Sequence, residues 1–186
     1  MRAGARNAAW QSGRQVSSRG PHLGCRRWAS KQWIVCVCAF KGRKREVWGR
    51  GYTELFFLDE VTAFAAGHRP CFECRRAEAE AFRALFDGRK RLSAPQMDAV
   101  LHHERLDGGR KRSWEWAFDQ LPAGAMVALE RRAYAISGDA LLPWSFEGYG
   151  AARKRPRGGT AQTLTPPSIL GVLAAGYRPR WAGLAP

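Results

Sequence analysis

Acidic residues are scarce in this chain. Asp and Glu together number 16 against 31 Lys and Arg in 186 residues, and none occurs before Glu46. The resulting formal net charge of +15 excludes a neutral surface and calls for a polyanionic partner, with nucleic acid the first candidate. Long apolar runs are missing as well. The longest, Trp33 to Phe40, is strand-sized, which excludes a membrane-spanning helix and a membrane partner. No secretory hydrophobic region is present, and the five cysteines are odd in number, so a disulfide framework is not indicated. A C-x-x-C pair in such a chain points to metal or redox use in a reducing compartment. The expected setting is therefore cytoplasmic and nucleoid-associated.

What is present argues for a folded core. Hydrophobic residues make up 45% of the chain and include eight Trp, too many for a wholly disordered protein. Residues 1–30, purely cationic, read as a flexible basic arm that orders on a partner. Gln32 to Phe40 reads as a strand, Glu46 to Trp48 as a return strand and Tyr52 to Leu58 as a third. Asp59 is placed to cap a short helix that Gly67 ends in the left-handed conformation. Arg75 to Phe86 reads as a helix, and the Ser93/Gln96 pair as a capping box opening another to about Leu106. From Leu121 short apolar alternations suggest a β-meander, and Thr165-Pro166-Pro167 opens a last helix over 168–175. The expected class is α+β: a small mixed metal module with two following helices over 31–120, then a β-rich lobe closed by a C-terminal helix over 121–186.

Cys71 and Cys74 carry the strongest chemical signal. Two thiolates separated by two residues can face one tetrahedral metal across a tight turn, although redox dithiols share the spacing. Arg69, Arg75 and Arg76 flank the pair and are expected to favour the thiolate form and form a positive rim. Cys36 and Cys38 are the obvious further ligands, because residues i and i+2 of a strand project from one face. Buried Cys also packs as a small hydrophobe, so His68 remains an alternative that would complete a Cys₃His set.

The run Tyr52 to Arg75, with its aromatic strand, Ala-rich helix and Gly67-His68-Arg69-Pro70-Cys71-Phe72-Glu73-Cys74 turn, resembles the second half of the Ada-type zinc domain. The resemblance spans roughly residues 33–76. It implies zinc on four cysteines, with Cys71 and Cys74 as the second pair and Cys36 and Cys38 standing for the first. It further implies DNA binding through basic residues around the site and, as in the repair members, methyl transfer from a phosphotriester to an exposed cysteine of the first pair. This chain departs from the pattern in its C-x-C first pair and in His68, which replaces an aromatic residue.

Two further features stand apart from the cysteines. His102-His103-Glu104 suggests a metal-dependent nuclease, but neighbours on a helix diverge by about 100° per residue and do not converge on one ion; Asp98 and His102 do share a face. Basic clusters at Arg43-Lys44-Arg45 with Arg50, at Arg69 with Arg75 and Arg76, at 110–112 and at 153–157 are interleaved with Trp48, Trp114, Trp116 and Tyr149. They suggest phosphate contacts with base stacking. DNA is the favoured partner, with an RNA- or ribosome-associated role equally compatible with the charge.

Overall fold

Capping boxes open two of the helices around the candidate site. The computed structural model describes residues 10–13, 16–18, 28, 30–42, 51–53, 55–87 and 91–183. Helix α1 spans Glu60–Ala65; Asp59 Oδ1 accepts the Thr62 N–H at 2.9 Å, and Thr62 Oγ1 accepts the Asp59 N–H at 3.2 Å. Gly67 then reverses the chain at φ +81°, where a Cβ would stand 2.9 Å from Arg105 Cδ, so both the dihedral and the packing demand glycine. Helices α2 (Arg76–Leu85), α3 (Ala94–Arg105) and α4 (Pro167–Ala174) follow. The expected capping box opens α3, with the Ser93 N–H donating to Gln96 Oε1 at 2.8 Å.

Around α1 lies a four-stranded sheet in the order Phe56–Phe57, Trp10–Gly13, Ile34–Val37, Arg69–Pro70. Its first surprise is the arm. Trp10–Gly13 pairs antiparallel with Ile34–Val37, setting Gln11 opposite Cys36, and Val16–Ser18 pairs with Gly51–Thr53. Within the expected flexible arm, Trp10–Gly13 is a strand because the edge of Ile34–Val37 offers backbone donors and acceptors that need partners, and Val16–Ser18 finds its partners on Gly51–Thr53. The return strand expected at 46–48 lies outside the described residues.

A second sheet forms the β-rich lobe, running Gly148–Tyr149, Ala140–Ser145, Arg132–Ser137, Met126–Leu129, Thr160–Thr163, Trp114–Ala117, with Arg153–Lys154 also on Ala140–Ser145. The α+β class is thus observed. The sheet begins at Trp114, ahead of the expected Leu121, because Trp114–Ala117 pairs with Thr160–Thr163 far along the chain.

Helix α4 joins the two halves. Its Ile169, Val172 and Leu173 pack with Phe64, Phe82, Met97 and Leu101, while Leu170 packs with Phe118, Val127, Tyr134 and Ile136 of the lobe. Polar ties follow the same route: Tyr149 Oη donates to Asp59 Oδ2 at 2.8 Å and Tyr177 Oη to Glu60 Oε1 at 2.9 Å. The core therefore crosses the boundary expected between residues 120 and 121. Among the described residues no helix is long and apolar enough to cross a membrane.

Candidate metal centre

A short parallel ladder brings the cysteines together. Ile34 pairs with Arg69 and Val35 with Pro70, and the Cys71 N–H donates to the Val35 carbonyl at 3.2 Å. One step beyond this pairing stand Cys36 and Cys71. The chain then turns tightly, with the Arg75 N–H on the Cys71 carbonyl at 3.0 Å and the Glu73 N–H on Cys71 Sγ at 3.4 Å. Backbone amides aimed at sulfur stabilise a thiolate, as in zinc-binding knuckles. The Sγ atoms of Cys36, Cys71 and Cys74 all lie within 4.8 Å of one another. Sulfurs on a tetrahedral zinc stand roughly 3.8 Å apart at a 2.3 Å bond length, so a small contraction would seat an ion.

Electrostatically the trio holds one negative charge most readily. Hydrogen bonds from the Cys36 and Cys74 thiols hold Cys71 down to about 2, with the Cys74 and Glu73 amides assisting. Its hydrogen bonds to Cys71 and Cys74, together with burial, push Cys36 up instead. For Cys74 the contact with Cys36 pulls downward, but the hydrogen bond to Cys71 and burial outweigh it and the thiol is raised. A cation is what lets all three deprotonate together, by replacing two protons with a charge that three sulfurs share. The cluster could therefore hold a metal ion. Cys36 is 1% exposed and Cys71 6%, while Cys74 is half-buried.

The other expected ligands lie elsewhere. Cys38 is exposed and outside the three-sulfur group, because the strand ends at Val37 and the i, i+2 alternation ends with it. Cys38→Ser is expected to retain the metal content of the unsubstituted protein, measured by inductively coupled plasma mass spectrometry; loss of the metal would place Cys38 in the centre. His68 is fully buried and also outside the group, its ring centroid 4.6 Å from Phe57 and 5.4 Å from Trp33. Burial, with the nearby Arg105 charge, holds its imidazole well below the usual range.

The expected positive rim is corrected in two of its three members. Arg69 is 1% exposed and donates through Nε and Nη2 to both Asp98 oxygens at 2.8 Å; Arg75 is 2% exposed and pairs with Glu60 Oε1 at 2.7 Å. Buried guanidinium groups need carboxylates, so these two tie α1, α2 and α3 together behind the cysteines and are not available to phosphate. Arg76 is exposed. Arg43, Lys44, Arg45 and Arg50 lie outside the described residues. The counter-ions Glu60 and Asp98 carried no sequence signal beyond an acidic residue at an otherwise apolar position.

Within segment 102–104, the His102 and Glu104 side chains are engaged inside the fold, and His103 is exposed. Glu104 accepts the Ser168 N–H at 3.0 Å and its hydroxyl at 2.6 Å, satisfying the open start of α4, where Pro166 has no side-chain donor or acceptor. His102 packs edge-on to Trp28, and the expected Asp98–His102 contact gives way to the Asp98–Arg69 pair. Two of the expected stacking aromatics are also bonded inward: Trp114 Nε1 donates to the Glu104 carbonyl at 3.1 Å, and Tyr149 to Asp59. The chain matches no family model, no curated protein and no solved structure.

Proposed function

We propose that the chain is a zinc-stabilised nucleic-acid-binding protein with DNA as its first ligand, in which the metal is structural. The observation that carries this reading is the three-cysteine cluster, two of its sulfurs buried, on a chain with a net charge of +15. Among the described residues the buried charged side chains are Asp59, Glu60 and Asp98 with Arg69, Arg75 and Arg105, and they cancel. The net +15 therefore belongs to the remaining residues. A chain with such an excess of positive charge binds phosphate by releasing counter-ions, which makes affinity fall with salt.

A structural zinc is closed by four ligands, so the three sulfurs would be completed by one further donor. The metal would fasten Ile34–Val37 to the turn before α2. The alkyl transfer implied by the Ada-type resemblance needs a first-pair ligand thiolate that DNA can reach, and the burial of Cys36, the member of that pair within the trio, favours a structural role. The test is fluorescence anisotropy with labelled duplex DNA and structured RNA across a salt series. Binding that weakens by about a thousandfold or more between roughly 50 and 200 mM salt is expected, as for six or more phosphate contacts. Absence of binding at the low-salt end would remove the reading, and tighter binding to RNA would reassign the ligand.

A further inference from the structure

The largest exposed apolar group in the described chain sits at a hairpin tip beside two arginines. Phe146 is 89% exposed. It belongs to the two-residue turn that follows Ala140–Ser145, where Ser145 pairs with Gly148 and Trp144 with Tyr149. The turn is braced, with Ser145 Oγ donating to the Gly148 carbonyl at 3.2 Å. The Phe146 ring meets the Trp144 ring edge-on at 5.0 Å, and Trp144 packs against the core formed by Val61, Ala65, Met126 and Ala135. A large aromatic ring is thus held in solvent on a supported base, and burial explains none of it.

Beside this ring opens a concavity of about 540 Å³ lined by Arg131, Arg132, Pro143, Trp144, Ser145 and Gly150. Tyr134 lies opposite Pro143, which brings Arg132 level with Ser145 at the foot of the Phe146 turn. Arg131 enters from the adjoining hairpin, where Glu130 and Arg131 take φ of +49° and +64°. Those dihedrals suit Asn-Gly, and a Glu-Arg pair holding them is strained, a state that accumulates at binding sites. Glu130 and Glu147 stand at the two turns, so the rim is no uniform cationic track. The aromatic face distinguishes it from the other exposed arginines.

We infer that this concavity and the Phe146 ring at its edge together bind single-stranded nucleic acid, with an unpaired base stacked on Phe146 and adjoining phosphates on Arg131 and Arg132 in the concavity. The volume is in the range of small-molecule sites, and every base offers a face for stacking. Duplex bases are closed to such a ring, so the site adds preference for unpaired strands to the general phosphate affinity proposed above, on which it rests.

Anisotropy with labelled oligo-dT, oligo-U and duplex DNA tests the inference on the full chain and on Phe146→Ala, Phe146→Trp and Arg131→Ala/Arg132→Ala. Phe146→Ala is expected to weaken single-strand binding about tenfold, leave duplex binding unchanged and keep the thermal melt, with Phe146→Trp restoring affinity. The double arginine variant is expected to flatten the single-strand salt slope by about 1.4. Undiminished binding by Phe146→Ala overturns the site and leaves general binding standing, whereas an unsubstituted protein that binds no nucleic acid overturns both. Equal loss on duplex, or Phe146-dependent self-association in sedimentation, also overturns it.

Discussion

Cys71→Ser is expected to lose the bound metal and to lower stability more than any other single substitution at the centre. Cys71 is the hub of the trio: it is the thiolate that Cys36 and Cys74 both hydrogen-bond, and its backbone closes the ladder to Val35. Serine keeps the shape but supplies a hard hydroxyl that does not ionise, leaving two sulfurs, too few for a stable zinc site. Structural zinc contributes an apparent 10–16 kcal/mol, or about that, in isolated fingers; here separate hydrophobic cores persist, so partial unfolding around Ile34–Val37 and the 67–75 turn is expected. Metal analysis should give one equivalent for the unsubstituted protein and none for the variant, with a lower melting temperature. Cys36→Ser and Cys74→Ser should follow it. Acid should release the metal, because protons compete for the same thiolates as pH falls. An unsubstituted protein that is metal-free after growth with zinc and melts as sharply as with it contradicts the centre.

Asp98→Ala is expected to destabilise the fold by about 3–5 kcal/mol, the usual cost of leaving a buried charge without its partner. The affected charge is Arg69, 1% exposed and held by two hydrogen bonds of 2.8 Å. For a chain of this length that corresponds to a fall of roughly 6–20 °C in melting temperature. The effect should reach the metal, since Arg69 lies in the ladder that delivers Cys71. Replacing both partners, as in Arg69→Met/Asp98→Leu, should recover most of the loss, because a well-packed apolar pair carries no desolvation cost. Chemical denaturation of the three proteins measures this directly. Equal midpoints for Asp98→Ala and the unsubstituted chain would show that the pair contributes nothing net.

Much of the local architecture was legible in the residues. Asp59 caps α1, Gly67 ends it with positive φ, Ser93 and Gln96 open α3, and Cys71 with Cys74 forms a turn that aims two sulfurs at one point. Each depends on contacts within a few positions of the chain, where residue type and spacing suffice. The sequence offered both Cys36 and Cys38 as further ligands, with His68 as an alternative, because period-two alternation places the two cysteines on one face for as long as the strand continues.

Tertiary structure decided where that strand stops, and with it that Cys36 joins the trio while Cys38 does not. It also turned Arg69 and Arg75 inward. Their sequence neighbourhood is that of a basic rim, but Asp98 is 29 positions from Arg69, and spacing along the chain does not register such a partner. The same holds for α4, whose Leu170 and Ile169 fill two different cores, and for Trp10–Gly13, which a basic composition marks as an arm and an open strand edge recruits as a strand. Composition and spacing alone determined a charged, cysteine-bearing α+β chain with a metal-ready turn. Which charges are neutralised and which sulfurs meet followed from burial, since desolvation acts on positions in space and not along the sequence.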